Sequence, residues 1–340
     1  MANIKDIARM SGVAPSTVSA VLTGKTERVK ASTRERIIEV MRELRYVPSP
    51  MFYGNKGQTL TTLGVVVNAS LDEVSEELDE YYLSIVSGIS AVALRSGCNV
   101  MLVPTHSWES ATKALRVYVD GRCDALLLLN PAGCEEIISA LKERNYPYVL
   151  VSSEIEDPTN NYVGIDLYHG ATIAMDYLVS LGHTRIAYLA GNWSKGRPRD
   201  EAYLNALTSR NLPVRAEWMP EGDYRSESGF ARTLAMMTSN GEKPTAIFCE
   251  SDPIAFGVLK ALAELNIDVP GEVSVIGFDD VRGAALTQPP LTTIRRPLPE
   301  IGAAAAKMVI GQLEHVGKCP ERIEFNAELV KRGTTGPAIK

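Results

Sequence analysis

The chain has 340 residues, 45% of them hydrophobic and 22% charged, with a net charge of −6 at neutral pH, the composition of a globular protein long enough for two or three compact units with real cores. No apolar run reaches the roughly 18 residues that a membrane-spanning helix needs, and the N-terminus runs straight into a helical pattern rather than an apolar leader, so no membrane partner and a cytoplasmic location are expected. The five cysteines, Cys98, Cys123, Cys134, Cys249 and Cys319, are odd in number and form no C-x-x-C pair, which argues against a disulfide framework and a structural zinc site and for reduced, buried thiols.

The chain opens on two short helical patterns. Ile4, Ile7 and Ala8 recur at i, i+3 and i+4, as do Val18, Val21 and Leu22, so each helix has one narrow apolar stripe. Ser11-Gly12-Val13-Ala14 separates them, with Gly12 where the chain turns sharply. Asn3 reads as the N-cap of the first helix and Pro15 as the first residue of the second, although Ala14 before it offers no capping side chain. The second helix turns Ser16, Thr17, Ser19 and Ala20 away from its stripe. That is a helix-turn-helix whose second helix can enter a DNA major groove.

A third helix follows, with Ser32 and Glu35 spaced as a capping box and Ile37, Ile38, Val40, Met41 and Leu44 closing a small core. Pro48 and Pro50 end the pattern, and 51–58 reads as a linker. The net charge divides along the same line. Residues 1–57 hold ten Lys and Arg against five acids, so the rest of the chain carries −11. A basic head suits phosphate neutralisation, and an acidic body is repelled by DNA.

From Leu63 onward, apolar strand-like runs alternate with amphipathic helices. The predicted strands are 63–67, 99–103, 125–129, 148–151, 185–189, 245–249 and 273–277; the helices between them include 82–95, 170–181 and 253–265. Near-continuous apolar strands are buried on both faces, as in parallel sheets. Their number exceeds one comfortable sheet, which implies two Rossmann-like lobes in tandem with a cleft between them. Ligands of such sheets bind at the carboxyl ends of the strands, here Asn68, Pro104, Asn130, Ser152, Gly191, Glu250 and Asp279.

Other chemistries find little support. Gly191 and Gly196 have the spacing of a phosphate loop, but Arg197-Pro198 stands where Lys and Ser/Thr are needed. The four histidines, His106, His169, His183 and His315, share no metal-ligand spacing, and no G-x-S-x-G elbow is present. No catalytic residue, metal or cofactor is assigned. His183 sits at a helix end, where the dipole favours a cation, in a structural role. Asp279 and Arg199 follow strands and can each grip two polar groups of a ligand, while Tyr81, Tyr82, Trp193 or Tyr224 can stack on its apolar face.

These residues resemble the lactose-repressor (LacI/GalR) family of bacterial transcription regulators. The resemblance rests on Ile4-Lys5-Asp6-Ile7-Ala8, Gly12-Val13, Thr17-Val18-Ser19, Val21-Leu22 and Val47-Pro48-Ser49 in the head. In the body it rests on Leu181-Gly182-His183, Arg199, Gly222-Asp223-Tyr224, Ser251-Asp252, Val275 to Asp280 and Pro290 to Ile294. It implies an α/β protein with an N-terminal three-helix helix-turn-helix head at 1–48, a hinge at 49–61 and a two-lobed periplasmic-binding-protein-like core at 62–340. The chain would cross three times between an N-lobe of about 62–181 and 298–325 and a C-lobe of about 182–297 and 326–340. The implied partners are a palindromic double-stranded DNA operator, a second copy of the chain in a homodimer, and a small-molecule effector, a carbohydrate in the main reading. A purine or a partner protein as co-effector is the alternative. A transport solute-binding protein shares the two-lobed body but not the basic head.

Carried over position by position, Pro15, Ser16 and Ala20 read bases and Thr17 and Ser19 lie nearer phosphate; Lys5 in the basic head is a further candidate DNA contact. In the cleft Arg199 and Asp279 match the family's ligand-gripping pair, Tyr224 an aromatic of sugar-binding members, and Tyr81, Tyr82, His169 and Ser251 further contacts. The linker departs from the pattern. Relatives that kink DNA show Ala-Arg-x-Leu there, the leucine acting as a wedge, whereas this chain has Phe52-Tyr53-Gly54-Asn55. Asn55 stands at the wedge position, and Gly54 costs a helix about 1 kcal/mol. The expectation is a hinge that is unformed off DNA and kinks it less, or one that wedges with Met51 or Phe52.

Overall fold

The computed structural model describes residues 4–22, 29–43, 62–68, 80–105, 121–131, 134–153, 157–191, 197–314 and 320–339. The described residues of the head form three helices, α1 (Ile4–Ser11), α2 (Pro15–Leu22) and α3 (Ala31–Glu43). Their stripes meet in a core of Ile7, Ala8, Val18, Ile37 and Val40, flanked by half-buried Ile4, Val13, Val21 and Met41. Gly12, at φ +63°, makes the turn, and the Val13 N–H bonds back to Ala8 O at 3.0 Å. Only glycine enters that left-handed conformation without strain. Ala14 O receives the first bonds of α2, from the N–H groups of Thr17 and Val18. The expected capping box on α3 is shifted. Lys30 O accepts from Thr33 and Arg34 N–H, which puts Ser32 inside the first turn and leaves Glu35 exposed. Asn3 lies outside the described residues.

Among the described residues the body contains two sheets. The first has the order β10-β5-β4-β3-β1-β2, formed by β1 (Thr62–Asn68), β2 (Asn99–Thr105), β3 (Ala125–Leu129), β4 (Tyr148–Val151), β5 (Tyr162–Ile165) and β10 (Arg322–Phe325), all parallel. The second has the order β11-β9-β8-β7-β6, from β6 (Ile186–Leu189), β7 (Ala246–Cys249), β8 (Ser274–Asp279), β9 (Thr292–Arg295) and β11 (Glu328–Val330), with only β11 antiparallel. Strands β3, β4, β6, β7 and β8 are buried along their whole length, because helices cover both faces.

Packing places the crossings between sheets. Helix Leu167–Ser180, capped by Asp166 on the His169 N–H at 2.8 Å, packs on β7, β9, β11 and helix Pro198–Thr208. A Cβ at Gly170 would meet the Phe278 ring and Ala327. The first crossing therefore falls near 166, at the start of this helix, and not at its end near 181 as expected. The second lies between β9 and helix Leu298–Glu314, which packs on α4 (Glu80–Arg95) and on β3, β4 and β5. The third joins β10 to β11. One buried apolar cluster runs through both lobes, from Leu63, Ile85 and Leu127 to Tyr188, Phe248 and Ile294.

His183 is a buried structural residue, but not a cation. Its Nδ1 lies 3.0 Å from Thr245 Oγ1 and its Nε2 3.0 Å from Ser274 Oγ and 3.1 Å from Gly336 O. Burial lowers its pKa, so desolvation outweighs the helix-end dipole that the sequence suggested. Cys98, Cys123, Cys134 and Cys249 are buried and free. Burial, aided by Asp124 beside Cys123 and Glu135 beside Cys134, pushes both thiols up to about 12, so they are inert.

Helices α4 and Leu298–Glu314 approach through glycines. A Cβ on Gly88 would clash with the carbonyl of Pro299, and one on Gly302 with that of Ile85. Backbone on the far side has no rotamer escape. Gly88→Ala should lower stability by about 1–3 kcal/mol, measured as the shift of the urea midpoint at unchanged slope.

Candidate functional site

Acidic and basic side chains converge where the strands of the second sheet end. Glu250 follows β7 and is 0% exposed. Its Oε2 accepts the Gly191 N–H at 2.6 Å, at the end of the β6 segment. Its Oε1 accepts from Arg197 Nη2 at 2.6 Å, Arg199 Nη2 at 2.6 Å and Tyr224 Oη at 3.1 Å. Arg199 Nη1 also donates to Glu250 O at 3.2 Å. Pro198 opens helix Pro198–Thr208, so Arg197 and Arg199 flank its first residue and both reach one carboxylate. Burial works against the Arg199 charge, but Glu250 more than offsets it and the guanidinium's pKa is raised. Arg199 also lies 5.3 Å from the Phe278 ring centroid.

A second cluster lies beyond β8 and β9. Arg296 donates from Nη1 to Asp279 Oδ1 and from Nη2 to Tyr81 Oη, each at 3.0 Å, with its guanidinium 4.9 Å from the Tyr81 ring centroid. Asp280 is held by Arg295 Nε at 2.7 Å and Arg332 Nη2 at 2.6 Å. Asp252, 0% exposed, accepts from Thr293 Oγ1 at 2.6 Å and the Val281 N–H at 2.9 Å. Burial, with Asp279 adding repulsion, raises its pKa well above the carboxylate range.

The backbone at these strand ends is strained. Asn130 after β3, Ser152 after β4, and Asp279 and Asp280 at the end of β8 all have positive φ, 47°, 55°, 115° and 57°. Non-glycine residues in that region cost about 1–3 kcal/mol each and collect where ligands bind.

Of the cleft residues read from sequence, Arg199 and Tyr224 join the Glu250 cluster, and Asp279 and Tyr81 the Arg296 cluster. Tyr82 touches Tyr81 edge-on at 5.1 Å between ring centroids. Ser251 caps helix Asp252–Glu264, its Oγ accepting the Ile254 N–H. His169 is exposed in the first turn of helix Leu167–Ser180. Trp193 lies outside the described residues. Arg296 was missed because β9 was not recognised as a strand. Arg197 was noticed only as a misfit in a phosphate loop, and Glu250 only as a strand end.

In the head, Lys5, Pro15 and Ser16 are exposed, and Thr17, Ser19 and Ala20 half-buried around Val18. Arg9 is exposed and pairs with Asp6 at 3.1 Å. Phe52, Tyr53 and Asn55 lie outside the described residues. Among the described residues, no group of three or more His, Cys, Asp or Glu is placed to hold a metal, and no helix is long and apolar enough to cross a membrane.

Comparison with known proteins adds to this geometry. Residues 3–49 match the family described as bacterial regulatory proteins, lacI family, and residues 175–335 the periplasmic binding protein-like domain. The HTH-type transcriptional repressor PurR of Actinobacillus pleuropneumoniae serotype 3 is 31% identical over 338 residues, covering 98% of each chain. A crystal structure of a LacI transcriptional regulator from Bacillus cereus subsp. cytotoxis has a TM-score of 0.74 at 28% identity, covering 81% of this chain and 98% of that one. The lac repressor dimer bound to operator and an anti-inducer has a TM-score of 0.71 at 27% identity, covering 98% and 99%.

Removing the charge of Glu250 leaves the buried Arg199 and the half-buried Arg197 without their shared counter-ion. Glu250→Gln should destabilise the protein by about 3–5 kcal/mol, read from urea denaturation, with the head helices intact by circular dichroism.

Proposed function

Because the chain belongs to the lacI family of bacterial regulatory proteins, we propose that it represses transcription as a homodimer on a palindromic operator and that a sugar between its lobes alters that binding. It is a ligand-responsive DNA-binding transcription regulator and not an enzyme. The observation that carries the reading is the α1–Gly12–α2 pair, which leaves Pro15 and Ser16 exposed at the start of α2 with Lys5 also on the surface. Pro15, Ser16 and Ala20 would face base edges, and Thr17, Ser19 and Lys5 phosphates. Such small side chains offer few direct hydrogen bonds, so apolar contacts and DNA shape carry much of the specificity. Phe52, Tyr53 and Asn55 would join the head at 1–48 to the body at 62–340 and touch DNA. Binding of a bacterial operator, as proposed, supports a cytoplasmic location.

For the effector, Arg199, Asp279 and Tyr224 are the central contacts, with Tyr81, Tyr82, His169 and Ser251 around them. Paired carboxylate and guanidinium groups suit the hydroxyls of a sugar. For the homodimer, Leu83 and Leu94 lie eleven residues apart on one face of α4, 50% and 82% exposed, and Leu102 on edge strand β2 is 41% exposed. Apolar surface of this kind favours a partner.

Two variants test the reading by operator binding. Arg199→Ala should keep operator affinity and lose the response to any sugar that shifts the parent protein; normal induction removes Arg199 from the site. Lys5→Ala should weaken operator and random DNA alike and lower the slope of log K against log salt by about 1.

A further inference from the structure

Arg296 lies in the crossing between β9 and helix Leu298–Glu314, the step at which the chain leaves the second sheet for the first lobe. One end of its fork holds Asp279 at the end of β8, in the second lobe, and the other holds Tyr81 at the start of α4, in the first, each at 3.0 Å. A guanidinium is planar and rigid, so a single group fixes both contacts at once. The lobes cannot separate at this point without breaking one of them.

Three further observations belong to the same place. The Arg296 and Asp279 side chains are 5% and 6% exposed, so water does not replace a lost partner cheaply. The neighbour of Tyr81, Glu80, accepts the Gly283 N–H of the second lobe on Oε2 at 2.8 Å, a second tie from the start of α4. Asp279 is held at φ 115°, and its carbonyl accepts the Arg296 N–H at 3.3 Å, so the pair also fixes a strained backbone.

We infer that Arg296 is a positioning residue, a pin across the hinge that sets the angle between the lobes before any ligand arrives and thereby the strength of operator binding by the unliganded protein. The inference rests on the DNA-binding reading above. It also gives a route from ligand to DNA. A ligand oxygen taken by Asp279 competes with Arg296 for that carboxylate, and Arg296 Nε has no hydrogen-bond partner among the described residues, so an acceptor reaching it shifts the same pin. Ligand and operator then bias one two-state element.

The experiment uses the full chain without ligand, and as probe a duplex that the parent protein selects from random DNA, with affinity read by fluorescence anisotropy. Arg296→Gln and Tyr81→Phe should each shift operator Kd in the same direction, Arg296→Gln by about fivefold or more, the lower range of allosteric coupling. The double variant should match Arg296→Gln alone, because both remove one linkage. Arg296→Lys, which keeps the charge but not the fork, should fall between parent and Arg296→Gln, and affinity for random DNA should not change. Operator Kd within about twofold of parent in both single variants, or effects that simply add, overturns the pin while leaving the DNA-binding reading intact. If Arg296→Gln does not fold, Tyr81→Phe decides alone, since it loses one hydroxyl, and an unchanged Kd overturns the proposal. A parent protein that selects no DNA overturns the DNA-binding reading and the pin with it.

Discussion

A carboxylate with no access to water organises the second-lobe wall. Burying the Glu250 charge costs several kcal/mol, and the structure offsets it with the Gly191 N–H, the Tyr224 hydroxyl and two guanidiniums. Each donor is thereby fixed. Gly191 ends the β6 segment, Arg197 and Arg199 straddle the first residue of a helix, and Tyr224 comes from the loop before helix Ser226–Thr238. Two positive side chains at a helix N-terminus oppose the helix dipole, and Glu250 makes that placement tenable. The same logic recurs with Asp279 and Arg296, and the second bond of Arg296, to Tyr81, carries it across the lobes. Cleft shape and lobe angle both follow from where buried charges find partners.

Much of this was legible in the sequence because strong periodicity survives context. The head's stripe residues Ile7, Val18, Ile37 and Val40 are its buried core, and all seven predicted strands exist in the two sheets. Four strands were missed for physical reasons. In β10 exposed Arg322 and Glu324 alternate with Ile323 and Phe325 at a sheet edge, β11 has only three residues, Gly164 interrupts β5, and β9 carries two buried threonines. Missing β9 hid Arg296, which otherwise reads as a strand-end residue like Asp279. Pairing was not legible at all. Sequence alone places Arg199 and Asp279 at strand ends, but not the Glu250 and Arg296 that hold them.

Two expectations failed by local competition. Ser32 is a good cap, yet α3 begins one residue before it, and a helix end is set by the whole turn rather than by one side chain. His183 stands at a helix end whose dipole favours a cation, but burial lowers its pKa, and it outweighs the Gly336 carbonyl, which favours the charged form. The division of charge remains informative. A basic head and an acidic body make the head the part that meets DNA, and leave the cleft to act through the connection between them.

Linkage requires that if the cleft controls the head, the head controls the cleft. Hydrogen exchange of the full chain, with and without operator duplex, measures this without knowledge of the ligand. The amides of Gly191, Val281 and Gly283, which bond to Glu250, Asp252 and Glu80, should exchange at a different rate when operator is bound. Changes confined to residues 4–43, with these three amides unaffected, would contradict the account.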